Sequence, residues 1–411
     1  MNIQVTITII DFLLWLIIAA NVMYVLFFAL ASHLPKKEHL PSAILRPCGS
    51  KRAELERSHQ PSFLVLIPAY HEDAVIINTV KSFLQQDYPK NLYQLCVISD
   101  HMDATTNEQL AVLPITLLQP TFENSSKAKA LQYAISAISH QSSAIYDNVV
   151  ILDADNIVAS NYLLQLSHIV RPNIAIQCHR TAKNSNNDIA TLDGLSEEIN
   201  NSIFRRGHNR IGMSSALIGS GMCFDYNWFK SNVTKLNTAV EDRELEALLM
   251  MQGSYIHYAE DIHVLDEKVS DSDNFQRQRL RWMTGQVQAF FQMLPDISKA
   301  IITGNINFID KTIQQALIPR SILLVLIPIL CTLATLTFSI IHLPSSIFHL
   351  KWWLLLLLLL VALFIAIPSK MRTHALFSKI TILPQLVYKM IKNILHIRRD
   401  KNIFIHTSHN T

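Results

Sequence analysis

Asp153 and Asp155, two carboxylates two positions apart, follow directly on the apolar run Val149-Val150-Ile151-Leu152. The run reads as a buried strand, and in an open parallel α/β sheet ligands lie beyond the C-terminal ends of the strands. Two acids there suit a hard divalent cation, Mg2+ or Mn2+, which in turn would hold a diphosphate. Asp-x-Asp alone also describes many solvated strand ends, so its meaning depends on what else the chain carries. Asp100 closes the apolar run Leu95–Ser99, and Glu241-Asp242 opens a helical pattern that continues through Met251. Gln278-Arg279-Leu280-Arg281-Trp282 stands just ahead of a membrane-proximal stretch. Each has a structural explanation of its own: a capped turn at Asp100, a favourable helix N-terminus at Glu241-Asp242, a lipid-interface anchor at Arg281 and Trp282.

The elements that must position these residues alternate. Ser62–Ile67 reads as a strand, residues 68–72 as a loop and Ala74–Gln86 as a helix. Leu95–Ser99 and Ile115–Leu118 read as strands, Ala128–Ser139 as a helix, Val149–Leu152 as a strand and Ser160–Ile169 as a helix. This rhythm predicts βαβ units, hence an α/β domain over residues 61–285 built on a mostly parallel sheet. Five scattered cysteines without a CxxC pair imply neither a zinc cluster nor a disulfide framework, which fits a reducing compartment.

The two ends of the chain are different in kind. Phe12–Ser32 contains no charged residue and is long enough to cross a bilayer as a helix, so residues 1–32 read as a transmembrane segment. Residues 1–10 have no Lys or Arg, which argues against a cleaved signal peptide. Lys36, Lys37, Arg46, Lys51 and Arg52 follow at once, which places residue 33 onward in the cytoplasm and makes residues 33–60 a juxtamembrane linker. Residues 286–320 carry amphipathic patterns read as helices lying in the membrane interface. Ser321–Ile341 and Trp352–Ser369 are uncharged, so two further spans are expected over 321–368. That topology returns the tail, residues 369–411, to the cytoplasm, where its eight Lys or Arg against one acid, Asp400, belong. With a net charge of only +3 and a tail abutting a span, anionic lipid rather than nucleic acid is the expected basic-face partner.

The motifs over residues 61–285 together resemble the family-2 glycosyltransferases, in particular the membrane-bound branch with cellulose, hyaluronan and poly-N-acetylglucosamine synthases. Pro68-Ala69-Tyr70-His71-Glu72 resembles the family's Pro-Ala-Tyr-Asn-Glu, and Val97-Ile98-Ser99-Asp100 its first Asp motif. Lys127-Ala128-Lys129-Ala130-Leu131 resembles its Lys-containing loop, Asp153-Ala154-Asp155 its Asp-x-Asp, and Gly219-Ser220-Gly221-Met222 its Gly-rich acceptor-side turn. Val240-Glu241-Asp242 is similar to Thr-Glu-Asp, and Gln278 to Trp282 fits Gln-x-x-Arg-Trp. His71 stands where the family has Asn, Val240 where it has Thr, and the Lys127 loop lacks glycine neighbours.

The resemblance implies a GT-A fold and an inverting, metal-dependent transfer of a sugar from a nucleotide-diphosphate donor, UDP-linked by expectation. It assigns Tyr70, Glu72, Asp100, Lys127, Asp153 and Arg281 to the nucleotide sugar, and Asp155 with Asp153 to Mg2+ or Mn2+. Asp242, beside Glu241, becomes the base, and Gly221, Gln278 and Trp282 meet the acceptor, a lipid-linked or growing glycan. No gating-loop motif follows Trp282, and three spans are few for a polysaccharide tunnel. A processive synthase exporting through an oligomer or a partner is therefore the alternative reading. A catalytically silent scaffold, the other alternative, would show damage among Asp153, Asp155, Asp242 or Arg281, and all four are intact.

Overall fold

The computed structural model describes residues 3–36, 60–141, 146–185, 187–238, 240–268, 272–341 and 347–373. Most of the linker read over 33–60 and nearly all of the tail over 369–411 lie outside the described residues. Helix α1 (Ile3–Ala31) leads into strand β1 (Phe63–Tyr70), helix α2 (Ile76–Phe83), strand β2 (Tyr93–Asp100), helix α3 (Ala104–Ala111) and strand β3 (Thr116–Leu118). Then come helix α4 (Lys127–Gln141), strands β4 (Asn148–Ile151) and β5 (Ile157–Val158), helix α5 (Tyr162–Ile169) and strand β6 (Ile174–Ala182). Helix α6 (Asp188–Asn200) runs through a π-helical turn (Asn201–Gly207) into the short α7 (His208–Ile211). Strand β7 (Met222–Asp225), helices α8 (Tyr226–Asn232) and α9 (Glu241–Met251) and strand β8 (Tyr255–Asp266) complete the sheet domain.

The eight strands among the described residues join one sheet in the order β3-β2-β1-β4-β7-β6-β8-β5. In β1, Leu64 and Leu66 enter the apolar cluster on one face, and Phe63, Val65 and Ile67 the cluster on the other. Burial on both faces explains why this strand is apolar throughout rather than alternating. Helix α2 covers one face with Ile76, Thr79, Val80 and Phe83, the spacing of a single helical stripe. The register aligns Tyr70 with Asp100 across β1 and β2, and Leu66 with Ile151 across β1 and β4. The C-terminal ends of these three strands therefore form one edge.

The sheet is mixed rather than purely parallel, with six of its eight strands among the described residues running in one direction. Strands β3, β2, β1 and β4 are parallel, but β7 is antiparallel to both β4 and β6, and β5 to β8. The cause is the turn at Gly219-Ser220-Gly221: it lies beyond the end of β4, where Met222 pairs with Ile151, so the strand that leaves it must run back.

Among the described residues three helices are long and apolar enough to cross a membrane: Val5–Ala31, Arg320–Ser339 and His349–Ala366. They lie within α1, α13 (Arg320–Ile341) and α14 (Ile347–Ala366), after α10 (Ser272–Met293), α11 (Ile297–Thr303) and α12 (Ile306–Ala316). The boundary expected at residue 285 falls inside α10. Helix α1 packs against α14 and against the π-helical turn. A Cβ on Gly207 would stand 2.3 Å from the Phe28 carbonyl oxygen, so only glycine admits this approach. The Phe28 ring stacks on His208 with centroids 3.6 Å apart. The Tyr24 hydroxyl donates to Asp310 at 2.6 Å and lies 3.0 Å from His208 Nε2.

Candidate active site

The C-terminal ends of β1, β2, β4 and β8 open on one cavity of about 310 Å³. Tyr70, Glu72, Asp100, Lys127, Asp153, Asp155, Glu241, Asp242, Gln278, Arg281 and Trp282 all line it. Residues spread over more than 200 positions thus share a cleft, as the motif order requires. Asp100 is buried and accepts from His101 Nδ1 at 2.6 Å. His71 and His101 hold φ of 53° and 55°, an uncommon conformation for side chains with a Cβ, placed at the mouth where β1 and β2 end.

Lys127, in the first turn of α4, donates to Asp153 and, at 2.6 Å, to the Gly219 carbonyl; Glu241 Oε1 lies 3.6 Å away. Burial alone would lower its pKa, but the charges of Asp153, Glu241 and Asp242 prevail and raise it, so it is a fixed cation. Glu241 is pushed up to about 7 by burial; Lys127 opposes this and Asp242 adds to it. Asp242 Oδ1 accepts from the Arg243 amide at 2.9 Å.

Asp153, Asp155 and Asp266 offer oxygen atoms all within 4.8 Å of one another. Three hard oxygen donors fit Mg2+ or Mn2+ and suit neither zinc-type thiolate nor imidazole chemistry. Asp155 Oδ2 accepts from the Glu267 amide at 2.9 Å, and Asn156 Nδ2 bridges Asp155 at 3.1 Å and Asp266 at 3.2 Å, which fixes the carboxylate orientations. Asp266 was not anticipated from the sequence. The alternation that buries Ile262 and Val264 puts it on the same face at the end of β8. Burial would raise its pKa, but Arg180 and Lys268 keep it low. Behind it Glu197 binds Arg180 at 3.0 Å and Arg205 at 3.3 Å, with Lys268 3.7 Å away. These cations overcome the cost of burial and hold the Glu197 carboxyl well below the usual range.

Gln278, Arg281 and Trp282 sit on one face of α10, at the three- and four-residue spacings of a helix. Gln278 Oε1 is buried without a hydrogen-bond partner among the described residues, an acceptor left for a ligand hydroxyl. Arg279 faces away, paired with Asp193 and lying 4.8 Å over the Trp282 ring. Further along α10, a Cβ on Gly285 would stand 2.3 Å from Val240 Cγ1, so α10 rests directly on the residue preceding Glu241.

Gly221 does not line the cavity. It takes φ +64°, and a Cβ there would meet Val264 at 2.9 Å, so its place is in the packing of the turn. Gly219, two residues earlier, is the glycine that lines the cleft.

The strand ends of a mixed sheet thus surround an acid-lined cleft. The glycosyl transferase family group 2 model matches residues 148–366, and the glycosyl transferase family 2 model matches residues 64–229. The chain belongs to this family, and its activity is glycosyl transfer.

Among solved structures it is similar to mannosyltransferase PcManGT from Pyrobaculum calidifontis, in complex with GDP-Man and Mn2+. Identity is 15%, covering 76% of this chain and 91% of that one, with a TM-score of 0.45. It is also similar to residues 1–349 of TarS from S. aureus (13% identity, 81% and 88% covered, TM-score 0.40). A third is glucosyl-3-phosphoglycerate synthase from Mycobacterium tuberculosis, in complex with Mn2+, UDP and phosphoglyceric acid. There the identity is 17%, with 59% and 80% covered and a TM-score of 0.37. No curated protein matches the chain.

Proposed function

We propose that the chain is a membrane-anchored, inverting glycosyltransferase. It moves a sugar from a nucleotide-diphosphate donor, UDP-linked, to a lipid-linked or growing glycan acceptor at the cytoplasmic membrane face. The observation that carries this reading is the convergence of Asp100, Asp153, Asp155, Glu241, Asp242 and Arg281 on one cleft. Tyr70, Glu72 and Asp100 receive the base and ribose, and Lys127 and Arg281 face the diphosphate. Asp153, Asp155 and Asp266 would hold a divalent cation, which neutralises charge on a leaving diphosphate when bound.

The acceptor hydroxyl attacks the anomeric carbon from the face opposite the diphosphate. The carbon–oxygen bond to the diphosphate breaks, the nucleoside diphosphate leaves with the electron pair, and Asp242 takes the hydroxyl proton. One displacement inverts the centre. Trp282 gives an acceptor sugar a flat face, and the unpartnered Gln278 carbonyl oxygen accepts from it.

The test is a panel of nucleotide sugars assayed for nucleoside diphosphate release by the full-length protein in detergent. Asp242→Asn should lower turnover about 10²-fold or more while donor binding persists. Turnover equal to the unsubstituted protein would remove Asp242 from the role of base.

A further inference from the structure

A second cavity, of about 300 Å³, adjoins the reaction cleft and is built differently. Asn200, Arg205, Leu217, Arg243 and Trp282 line both, so no more than one layer of side chains separates them. Its outer wall comes from all three candidate spans: Val25 of α1, Leu324 of α13 and Leu363 of α14. Leu195, Phe204 and Met283 continue the apolar lining toward the catalytic domain. A glycan bears a hydroxyl on nearly every carbon and would leave those hydroxyls unsatisfied against such a wall. An aliphatic chain would not.

Four arginines, Arg205, Arg243, Arg279 and Arg320, line the same chamber against one carboxylate, Glu246. Arg205 and Arg279 are paired with Glu197 and Asp193. Arg320 is not so matched among the described residues: it donates to Asn200 Oδ1 at 2.6 Å and to the Ser196 carbonyl at 3.3 Å, both neutral. Arg243 likewise bonds the amide oxygen of Gln315. Half-buried guanidinium groups without a carboxylate partner favour an anion, and several lining one chamber match the three oxygens of a phosphate better than a single carboxylate. Asn200 joins the two ends of this arrangement, since it lines the reaction cleft and holds Arg320.

We propose that this chamber is the acceptor's anchoring site, and that the acceptor is an amphiphile. Its aliphatic tail lies between α1, α13 and α14, and its phosphate headgroup meets Arg320 and Arg243 beside Trp282. The acceptor role rests on the transfer reaction proposed above; the binding site itself does not.

The probes are farnesyl phosphate, farnesol and inorganic phosphate, titrated into the full-length protein in maltoside micelles and followed by calorimetry. Farnesyl phosphate should bind about tenfold or more tightly than farnesol, the worth of a charge-assisted hydrogen bond. Inorganic phosphate alone should bind far more weakly than farnesyl phosphate. Arg320→Gln should abolish the preference for the phosphate while farnesol binding persists, which shows that the chamber is still folded. Leu324→Trp, which fills the chamber, should weaken both farnesyl ligands and leave thermal stabilisation by a nucleotide sugar intact.

Equal affinity for farnesyl phosphate and farnesol, or affinities that neither substitution moves, would overturn the assignment. So would inorganic phosphate binding as well as farnesyl phosphate. The two proposals fail separately. If farnesyl phosphate binds as described but no nucleotide sugar binds or turns over, glycosyl transfer fails and the lipid-phosphate site stands. If a nucleotide sugar turns over onto a soluble glycan while farnesyl phosphate has no affinity, the chamber assignment alone is refuted.

Discussion

Replacing Gly285 by alanine should slow the reaction without altering any residue assigned to substrate or metal. The new Cβ would stand 2.3 Å from Val240 Cγ1 and 3.0 Å from Cγ2, where ordinary contact begins near 3.4 Å. The two backbones must part by about 1 Å, since close-packed interiors do not compress. Either α10 moves, carrying Arg281 and Trp282 one turn away, or Val240 moves, carrying Glu241 and Asp242. A misplacement of that size costs about 10² in turnover.

Stability is the poorer readout. Overpacking costs about 1–3 kcal/mol, but alanine is favoured over glycine inside a helix by about 1 kcal/mol, so the two partly cancel. The assay is therefore kcat and KM for nucleoside diphosphate release, with Gly285→Ala, Val240→Ala and the pair. Shortening Val240 removes both Cγ atoms, so the double variant should recover most of the lost kcat. A Gly285→Ala protein with kcat within a few-fold of the unsubstituted one, or a double variant no better than Gly285→Ala, would refute the argument.

Three further outcomes are expected. Asp266→Asn removes one of three oxygen donors and should weaken Mn2+ binding, read by calorimetry without substrate, about tenfold or more. Unchanged Mn2+ affinity would exclude Asp266 from the metal group. Glu197→Gln strips the carboxylate from among Arg180, Arg205 and Lys268 and should cost about 3–5 kcal/mol in reversible unfolding. Glu241 holds its proton up to about 7 in the folded chain and up to the ordinary 4.5 unfolded. Its contribution to stability is thus complete below pH 4.5 and is lost as pH rises to 7. Glu241→Gln should then raise the melting temperature at pH 8, by up to about 3 kcal/mol in stability, and change it little at pH 4.5, with Asp153 still partnering Lys127. A difference independent of pH would contradict the assigned burial.

The first half of the sheet was legible because β1, β2 and β4 are buried on both faces and therefore read as unbroken apolar runs. The stretch from Arg180 to Arg210 was not, and the reason is physical. Arg180, Glu197 and Arg205 are buried as ion pairs, so residues that ordinarily mark a surface lie in the interior and the apolar period disappears. Asp266 has no motif around it, and what brings it to the site is the pairing of β8 with β5 and β6. Gly285 looked like a break between domains. It is the point of closest approach between α10 and Val240, and the helix runs straight through it. Gly221 matched a motif by type, yet the turn directs it into the packing, and Gly219 faces the cleft.

The seat of Phe28 on Gly207 and His208 has a bearing on how the molecule is made. Helix α1 is synthesised well before the turn it docks against. Until then Tyr24 has neither His208 nor Asp310 to bond. The docking of α1 is therefore a late clasp in the maturation of the fold. A fragment cut to begin at residue 61 would lack α1 and leave His208 without the ring that covers it, so trimming the chain would remove part of its own interior.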